Sequence, residues 1–510
     1  MKNSPKFLLL ISLLFIGIFS ASTYWIGIKH SEMLKSENNN KWSNIDIVLE
    51  HLANNYVDSL EIDNLSENSI NNILKDLDPH SSYIPANQRQ RLNESLVGHF
   101  GGIGIRFMIY NDTLTVVDVI NGGPSAQVNI KKRDRIISID DENVAGVNLK
   151  NEDVLKKLKG IVGSSVKLSI LKPNKNIEIK NIIRGLIPLK SVPAFTILKN
   201  EIGYRKISSF SNSTDIEFKK AIKNLLEKGM ESLILDLRFN GGGYLHQAIN
   251  IADEFLKKNK LIVYTEGAHS KKRTFFSSSK GLFENGKLII LVNSSTASAS
   301  EIVSGAIQDN DRGLILGRRT FGKGLVQQPL LLPDSSELRI TTSRYYTPSG
   351  KCIQKPYGDS IDYDNDLFDR IENGELTEID SSEKSKFKGG IIPNIYSPID
   401  TSNYNDQINK IIYTRKWRDF CFNYYEKYPI SNFENVKEFY NNFKVKNSEL
   451  KKYLEKINND LDVFDNNDMN DLEWSLKIEL SSYYYSDQSR YIITTFKDSD
   501  VKKALLELEK

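Results

Sequence analysis

The chain has 510 residues, with 68 lysines and arginines against 65 aspartates and glutamates, and this length predicts about three domains. A formal charge of +3 without a strong basic stripe gives no argument for nucleic-acid binding. Two cysteines and six scattered histidines form neither a disulfide framework nor a metal-ligand spacing, so we expect no metal and no cofactor.

Residues 7–28 form an uncharged, apolar run behind Lys2 and Lys6. As a helix this run is about 33 Å long, enough to cross a bilayer core. It is interpreted as an uncleaved signal anchor, with a signal peptide cut near residues 20–22 as the alternative. In either case residues 1–28 export the chain. We expect a location on the periplasmic side of the inner membrane, or in the periplasm or outside the cell after cleavage.

Residues 29–98 are predicted to be a helical region. Apolar residues recur there at helical spacing, as in Ile45, Val48, Leu49 and Leu52. The segment LDPHSSYIP at residues 77–85 breaks this pattern with a proline and a pair of serines. Its histidine, His80, is interpreted as a structural hydrogen-bonding residue.

Residues 99–184 are predicted to form a β-rich domain, because short strand-like runs alternate with glycine and Asp/Asn turns. The runs are FGGIGIRFMI, LTVVDVI, RIISID and VKLSIL, with two short helices, SAQVNI and NEDVLKKLKG, between them. The first run contains the loop Gly101, Gly102, Ile103, Gly104 and Ile105. Its backbone N–H groups could bind an anion beside an apolar pocket, although the loop taken alone is more typical of a tight turn than of a ligand site.

Residues 185–400 are predicted to be an α/β core. Two buried strands, ESLILDLR and KLIILVN, each lead into a loop that precedes a helix. The first loop, Asn-Gly-Gly-Gly at residues 240–243, presents N–H groups suited to an anion or oxyanion. Within the core, residues 356–387 are interpreted as a solvated insertion or flexible flap, because ten acidic residues lie between Asp359 and Glu383.

Residues 401–510 are predicted to be a C-terminal helical region. They are rich in asparagine, lysine and tyrosine and contain no catalytic motif. One helix face is predicted from the spacing of Leu450, Tyr453, Leu454, Ile457 and Leu461.

Ser298 follows the strand KLIILVN and begins a helical pattern. This is a suitable position for a nucleophile, since the N–H groups at a helix N-terminus stabilise an oxyanion. The alternative is an N-cap, because Ser298 and Glu301 satisfy the S-x-x-E capping box. On these residues alone the cap is favoured.

Lys323 lies between two glycines in the run TFGKGLVQ. Burial would lower its pKa from about 10.4 toward neutrality, so that it could deprotonate a serine hydroxyl. Gln327, four residues later, shares a face with Lys323 and could orient its amine. The alternative is an exposed lysine in a hairpin.

Two resemblances combine these segments. The loop GGIGI and the following residues 122–144 resemble a PDZ domain, which implies that residues 101–105 bind a peptide's C-terminal carboxylate while the peptide adds a strand. Six segments in family order over about residues 40–400 resemble the carboxy-terminal processing peptidases, also called tail-specific proteases. These segments are LDPHSSYIP, DLRFNGGG, STASASEI, TFGKGLVQ, TTSRYYTPSGKCIQ and GGIIPNI.

The family resemblance implies an α/β protease core with the strand–loop–helix architecture of crotonase and ClpP, an inserted PDZ domain, and helical regions at both ends. It implies a serine endopeptidase in which Ser298 is the nucleophile, Lys323 the general base and Gln327 the lysine-orienting residue. The backbone N–H groups of Gly242 and Ala299 would bind the oxyanion.

The chain departs from the family pattern twice. Gly241 stands where the family usually has proline, which predicts a looser oxyanion loop. Lys159-Gly160 stands where Arg-Gly is common, and lysine lacks the bidentate fork with which an arginine could couple peptide binding to activation.

The partners expected are protein or peptide substrates with free C-termini and, through the N-terminal segment, a membrane; a homo-oligomer is compatible with the sequence. A catalytically idle PDZ adaptor and a crotonase-like acyl-CoA enzyme are competing interpretations. The Ser–Lys pair disfavours both, and the PDZ resemblance adds to the argument against the second. Ser–His–Asp chemistry is disfavoured because no histidine follows His269.

Overall fold

A computed structural model describes residues 44–358, 363, 365–375, 389–400, 405–428, 433–457 and 464–510. The chain divides into two compact units, residues 1–77 and 78–510. The apolar run at residues 7–28 and its candidate cleavage site lie outside the described residues. Among the residues that are described, no helix combines the length and apolar character needed to cross a membrane.

The described part of the first unit is helical, as predicted. It contains helices α1 (44–55) and α2 (Ile62–Lys75). Helix α2 buries Leu74 near its C-terminus. Ile45 and Val48 of α1 are exposed, so the apolar spacing predicted the helix but not the burial of these residues.

The second unit begins with strand β1 (Ser82–Ile84) and helix α3 (Ala86–Val97). The helix ends at Gly98, whose φ of +85° is accessible to glycine at a helix C-terminus. Strand β1 was missed because it has three residues and exists by pairing with residues 337–339.

The β-rich domain at residues 99–184 has the predicted strands and two helices. The strands are β2 (His99–Gly102), β3 (Ile105–Tyr110), β4 (Thr113–Val119), β5 (Arg135–Ile139), β6 (Glu142–Asn143), β7 (Ser165–Leu171) and β8 (Ile177–Ile183), followed by β9 (Gly185–Pro188), which pairs with β2. The helices are α4 (Pro124–Gln127) and α5 (Asn151–Leu158). The sheet order β3-β4-β5-β7-β8 leaves β3 at an edge. Strand β8 was not predicted, and most of its side chains are exposed or partly exposed.

The α/β core contains a six-stranded sheet in the order β10-β11-β12-β15-β16-β19, parallel except for β10. Its strands are β10 (Ala194–Lys199), β11 (Ile202–Lys206), β12 (Ser232–Asp236), β15 (Lys287–Val292), β16 (Leu314–Gly317) and β19 (Ile395–Tyr396). The connecting helices are α6 (Thr214–Glu227), α7 (Leu245–Asp253) and α8 (Ala299–Asp309). Strands β12 and β15 are almost wholly buried and adjacent, so the loops at their carboxyl ends lie side by side.

A second sheet of the core has the order β1-β18-β13-β14, with β17 also paired to β18. Its strands beyond β1 are β13 (Leu261–Gly267), β14 (Ser270–Phe276), β17 (Leu325–Leu331) and β18 (Glu337–Tyr346). Strand β17 follows Lys323 directly, and Gln327 lies opposite Thr341 of β18. Strands β1 and β17 therefore both pair with β18, the central strand of this sheet.

Within the predicted solvated insertion at residues 356–387, the described residues 365–375 are mostly exposed, but Arg370 and Glu375 are buried. Residues 365–375 contain helix α9 (Asp366–Glu372), whose Arg370 is buried and donates to the carbonyl oxygens of residues 319–321. Glu375 is buried and paired with Arg319 at 2.5 Å. Acidic composition predicted solvation, but buried arginines supply partners for these carboxylates.

The C-terminal region is helical, as predicted. Its helices are α10 (Asp406–Ile412), α11 (Arg415–Lys427), α12 (Val436–Asn442), α13 (Asn447–Ile457), α14 (Asn466–Tyr484), α15 (Asp487–Thr495) and α16 (Ser499–Leu508). Helix α13 buries Leu450, Tyr453 and Leu454 on one face, while Leu461 lies outside the described residues. An aromatic cluster around Trp417 and Phe422 includes Tyr110 of the β-rich domain. Helix α16 packs against the six-stranded sheet.

Candidate active site

Ser298 lies between β15 and α8, where the chain turns sharply. Its φ of +56° and ψ of −117° are unusual for a residue with a side chain and indicate local backbone strain. The turn is held by the neighbouring loop after β12, because Ala297 N–H and the Ser300 hydroxyl both donate to the Asn240 carbonyl oxygen at 3.0 Å. Two parallel buried strands thus deliver Ser298 beside the Asn-Gly-Gly-Gly loop.

The capping-box interpretation is also supported. The Glu301 carboxylate accepts the Ser298 N–H at 2.8 Å, which is one half of the box. The Ser298 side chain faces the Glu301 N–H as the other half of the box, although this N–H makes its 2.8 Å hydrogen bond to the Ser298 carbonyl oxygen. In this position the Ser298 hydroxyl can only accept from the N–H, so its own proton remains available for transfer.

Glu301 also binds the segment that contains Lys323. Its fully buried carboxylate accepts the Thr320 hydroxyl at 2.5 Å, the Gly322 N–H at 2.7 Å and the Lys323 N–H at 2.9 Å. Burial raises the pKa of Glu301 to about 7, although these donors oppose the shift. One carboxyl group consequently positions the backbone of both Ser298 and Lys323.

Tyr345 of β18 reinforces this connection. Its buried hydroxyl lies 3.1 Å from the Ser298 carbonyl oxygen and also donates to the Lys323 carbonyl oxygen. The backbones of the predicted nucleophile and base are therefore linked by two side chains, Glu301 and Tyr345.

The Lys323 side chain is half-buried, and its environment favours the neutral amine. Burial lowers the pKa of Lys323, and the positive charge of Arg339 lowers it further, while Asp78 and Glu301 raise it. The net direction is the one that a general base requires. No direct hydrogen bond joins the Lys323 amine to the Ser298 hydroxyl among the described residues, and such contacts often tighten only with substrate.

Gln327 does not contact Lys323 through a hydrogen bond here. Its side-chain Nε2 donates to the Thr341 hydroxyl oxygen at 3.2 Å, directly across the β17–β18 pair. This bond orients the amide and leaves the Gln327 Oε1 without a hydrogen bond among the described residues.

Gly242 lies against Ser298 and Ala299, as the oxyanion prediction requires. A Cβ atom on Gly242 would be 2.7 Å from the Ser298 Cβ and 2.9 Å from the Ala299 nitrogen, so only glycine fits. Its φ of +101° leads to the same conclusion. The Gly242 N–H donates to Asn240 Oδ1 at 2.9 Å, whereas the Ala299 N–H begins a helix and has no intrahelical acceptor.

Comparison with known proteins decides the family. Residues 201–365 match the model of peptidase family S41, and residues 101–182 match that of a PDZ domain. A carboxy-terminal-processing protease of Bartonella bacilliformis is 37% identical over 314 residues, covering 60% of this chain and 71% of that protein. The carboxy-terminal processing protease CtpB of Bacillus subtilis is 32% identical over 327 residues, covering 63% and 67%. This chain belongs to the carboxy-terminal-processing protease family.

As a member of this family, the chain is a serine-type peptidase with a PDZ domain. The PDZ loop contains two backbone N–H groups without an intramolecular acceptor in the part of the chain that the structure describes. The N–H groups of Ile103 and Gly104 have no acceptor within the described residues, and Gly104 has a φ of +77°. Ile103 is buried beneath the loop. Free backbone donors at the start of edge strand β3 are what carboxylate binding by residues 101–105 would require, and that function stays a prediction.

Lys159, which replaces the family's common arginine, connects the PDZ domain to α3. Its amine pairs with Glu94 at 2.5 Å and lies 4.2 Å from the ring centre of Phe100. The neighbouring Gly160 approaches the loop closely, because its N–H donates to the Gly101 carbonyl oxygen at 3.1 Å. Lysine therefore keeps a contact between the PDZ loop and α3 through a single charge.

Sequence reasoning missed the second role of Glu301: the capping box predicts a helix cap, but the same motif also places an acid beside the predicted nucleophile. The hydrogen-bonding role predicted for His80 agrees with the structure, since its Nε2 lies 2.8 Å from the Tyr363 hydroxyl. The position of its turn near Lys323 was not predicted. Burial and the nearby charge of Lys323 lower the pKa of His80 to about 4, so the LDPHSSYIP turn lies close to the site.

Proposed function

We propose that this chain is an exported endopeptidase that captures the C-terminal tails of proteins in its PDZ domain and cleaves peptide bonds with Ser298 and Lys323. The observation that carries the proposal is the shared Glu301 carboxyl, which connects the backbones of these two residues. A structural helix cap alone does not require this second set of bonds to a lysine-containing loop.

Lys323 acts first, as the general base. The neutral amine accepts the Ser298 hydroxyl proton while the Oγ atom bonds to the substrate carbonyl carbon. The resulting oxyanion is bound by the Ala299 N–H, and by the Gly242 N–H once its bond to Asn240 is exchanged. Gly241 has open space where a side chain would lie, so the loop has room for that exchange.

Peptide-bond cleavage then proceeds through an acyl-enzyme. The tetrahedral intermediate collapses, the C–N bond breaks, and Lys323 returns the proton to the leaving amine. Water attacks the Ser298 ester, gives its proton to Lys323 and releases the carboxylate product as the proton returns to Ser298. Each step uses one lysine that alternates between neutral and charged forms, which is consistent with its lowered pKa.

Export is proposed from residues 7–28, which would anchor the protein on the periplasmic side of the inner membrane or be removed as a signal. A reporter fused after residue 30 should lie outside the cytoplasm, and full-length protein should need detergent for extraction. A soluble mature form beginning near Thr23 would identify a cleaved signal, whereas a cytoplasmic reporter would contradict export altogether.

The central test is cleavage of an unfolded protein that carries a free or an amidated C-terminus, with the cut sites mapped by mass spectrometry. Ser298→Ala should abolish cleavage and keep tail binding, because it removes one hydroxyl at a helix start. Amidation should weaken capture, since the PDZ loop would lose its anion. Near-normal proteolysis by Ser298→Ala, or equal cleavage of the two tails, would contradict the corresponding part of the proposal.

A further inference from the structure

The turn at residues 77–81 is the motif that the proposed chemistry leaves without a role. Asp78 is only 7% exposed, and its carboxylate accepts the N–H groups of His80 and Ser81, both at 2.8 Å. It also accepts the Ser81 hydroxyl at 2.6 Å. Three bonds from its own turn fix the orientation of this carboxylate.

The turn is joined to β18 beside Gln327. The Ser81 Oγ accepts the Thr341 N–H at 3.1 Å, and strand β1 continues the attachment by pairing Ser82 with Arg339. The Ser81 hydroxyl donates its own proton to Asp78, so its oxygen is free to accept from Thr341. Asp78 therefore anchors Ser81, and Ser81 anchors the backbone of Thr341.

Thr341 in turn holds the Gln327 amide. The Gln327 Nε2 donates to the Thr341 Oγ1 at 3.2 Å, directly across the β17–β18 pair. The amide oxygen Oε1 is thereby turned away from Thr341 and is available as an acceptor.

We propose that Asp78 and Thr341 are positioning residues of the peptidase, which hold the Gln327 amide so that its Oε1 accepts a hydrogen bond from the Lys323 amine. A neutral amine has two N–H donors and one lone pair. If Oε1 binds one N–H, the lone pair is directed toward the Ser298 hydroxyl. A flipped amide would present its NH₂ group to the lysine and compete for that lone pair. The inference rests on the proposed Ser298–Lys323 chemistry.

The charges around Lys323 allow positioning to be distinguished from electrostatics. Asp78 and Glu301 raise the pKa of Lys323, and Arg339 lowers it, while His80 of the same turn is held neutral above a pKa of about 4. If Asp78 acted only through its charge, removing the charge would lower the lysine pKa and leave the maximal rate intact. If Asp78 positions Gln327, the maximal rate must fall as well.

Thr341→Val is the first test, because valine keeps the shape of threonine and removes the hydroxyl. The kcat for cleavage of a tailed substrate should fall by about tenfold to a hundredfold with little change in KM. Thr341→Ser should restore most of the rate, since it restores the hydroxyl. Thr342→Val is the matched control on the same strand, as the Thr342 hydroxyl is buried without a hydrogen-bond partner, and it should behave as wild type.

Asp78→Asn is the second test, read from the pH profile of kcat. Loss of the carboxylate should move the rising limb to lower pH and, in addition, lower the plateau. Thr341→Val, which keeps the charge, should lower the plateau without moving the limb to lower pH. A shifted limb with an unchanged plateau in Asp78→Asn, or equal rates for Thr341→Val and Thr342→Val, would overturn the positioning role.

Ser298→Ala is assayed in parallel, so that a failure of the proposed peptidase function can be distinguished from a failure of the positioning role. If wild-type cleavage equals that of Ser298→Ala, the proposed function itself fails, and this inference fails with it. If cleavage depends on Ser298 and the Thr341 variants are unaffected, only the positioning role is overturned.

Discussion

The peptidase core and the C-terminal helices differ in how their most important residues are distributed along the chain. The core concentrates its chemistry in three short segments, residues 239–243, 295–301 and 320–327, each beside a strand of the core. The described residues of the C-terminal region contain no such segment, and their contacts come from side chains spread over helices α10 to α16. In the core, short turns fix the direction of individual backbone N–H groups, whereas the helices dock through side chains that are separated along the chain.

The two regions nevertheless meet next to the Asn-Gly-Gly-Gly loop. Arg238, which precedes the Asn-Gly-Gly-Gly loop, donates to Asp236 of β12 and to Asp498 and Asp500 at the start of α16. Arg318 donates to Asp500 as well, at 2.9 Å. Because these charges are buried or nearly so, each depends on its partners, and the C-terminal helices support the loop that carries Gly242.

Within the core, the largest effect is expected from Lys323→Arg. Guanidinium keeps its proton, so cleavage should fall by about 10²- to 10⁴-fold and should not recover as the pH is raised, whereas wild-type activity should rise as the lysine with its lowered pKa loses its proton. Initial cleavage rates between pH 6 and pH 10, with Lys323→Ala as reference, measure this. A Lys323→Arg variant as active as wild type would make the lysine an electrostatic partner and require another base.

At the junction of the two regions, Asp500→Asn should destabilise the fold by about 3 kcal/mol, because Arg238 and Arg318 would lose a buried partner charge. Urea unfolding measures this. Asp406→Asn, in an exposed pair with Lys410, is the matched control and should change stability by less than about 0.5 kcal/mol.

The effect of Asp500→Asn on stability should also depend on pH. Burial opposes ionisation of Asp500, but Arg318 and Arg238 prevail and lower its pKa. A carboxyl group with a lowered pKa in the folded state stabilises above its unfolded pKa of about 3.9 and loses this contribution as the pH falls further. The stability difference between wild type and Asp500→Asn should therefore shrink below about pH 4. A difference that persists unchanged at lower pH would contradict the ion-pair explanation.

The smallest effect is expected where the C-terminal helices meet the PDZ domain. Tyr110→Phe removes the hydroxyl that donates to Asn423 and keeps the ring against Phe422 at 5.1 Å between ring centres. The free energy of unfolding should fall by about 1 kcal/mol, because one hydrogen bond is lost. The affinity for a free C-terminal tail should stay the same, because the carboxylate loop is at the other end of β3. A large loss of tail affinity would show that this contact also shapes the peptide site.

The segments that sequence predicted well are those whose structure depends on near neighbours. Strands β12 and β15 are continuous aliphatic runs bounded by turn residues, and helix α8 begins at a capping motif. Motif order was sufficient to assign the family and to select Ser298 and Lys323. Strands β1 and β8 were missed because a short or exposed strand carries too weak a pattern and forms only with its partner.

By itself, the sequence determined the domain order, the buried strands that end at the site, and the residues that could be nucleophile and base. Only the tertiary structure decided which groups surround them. It brought the Glu301 carboxyl into hydrogen bonds with the backbones of Ser298 and Lys323. It also joined the Asp78 turn to Thr341, Thr341 to Gln327, and α16 to Arg238. Local pattern reflects interactions over a few residues, whereas these bonds join side chains that meet only when strands and helices far apart in the chain pack together.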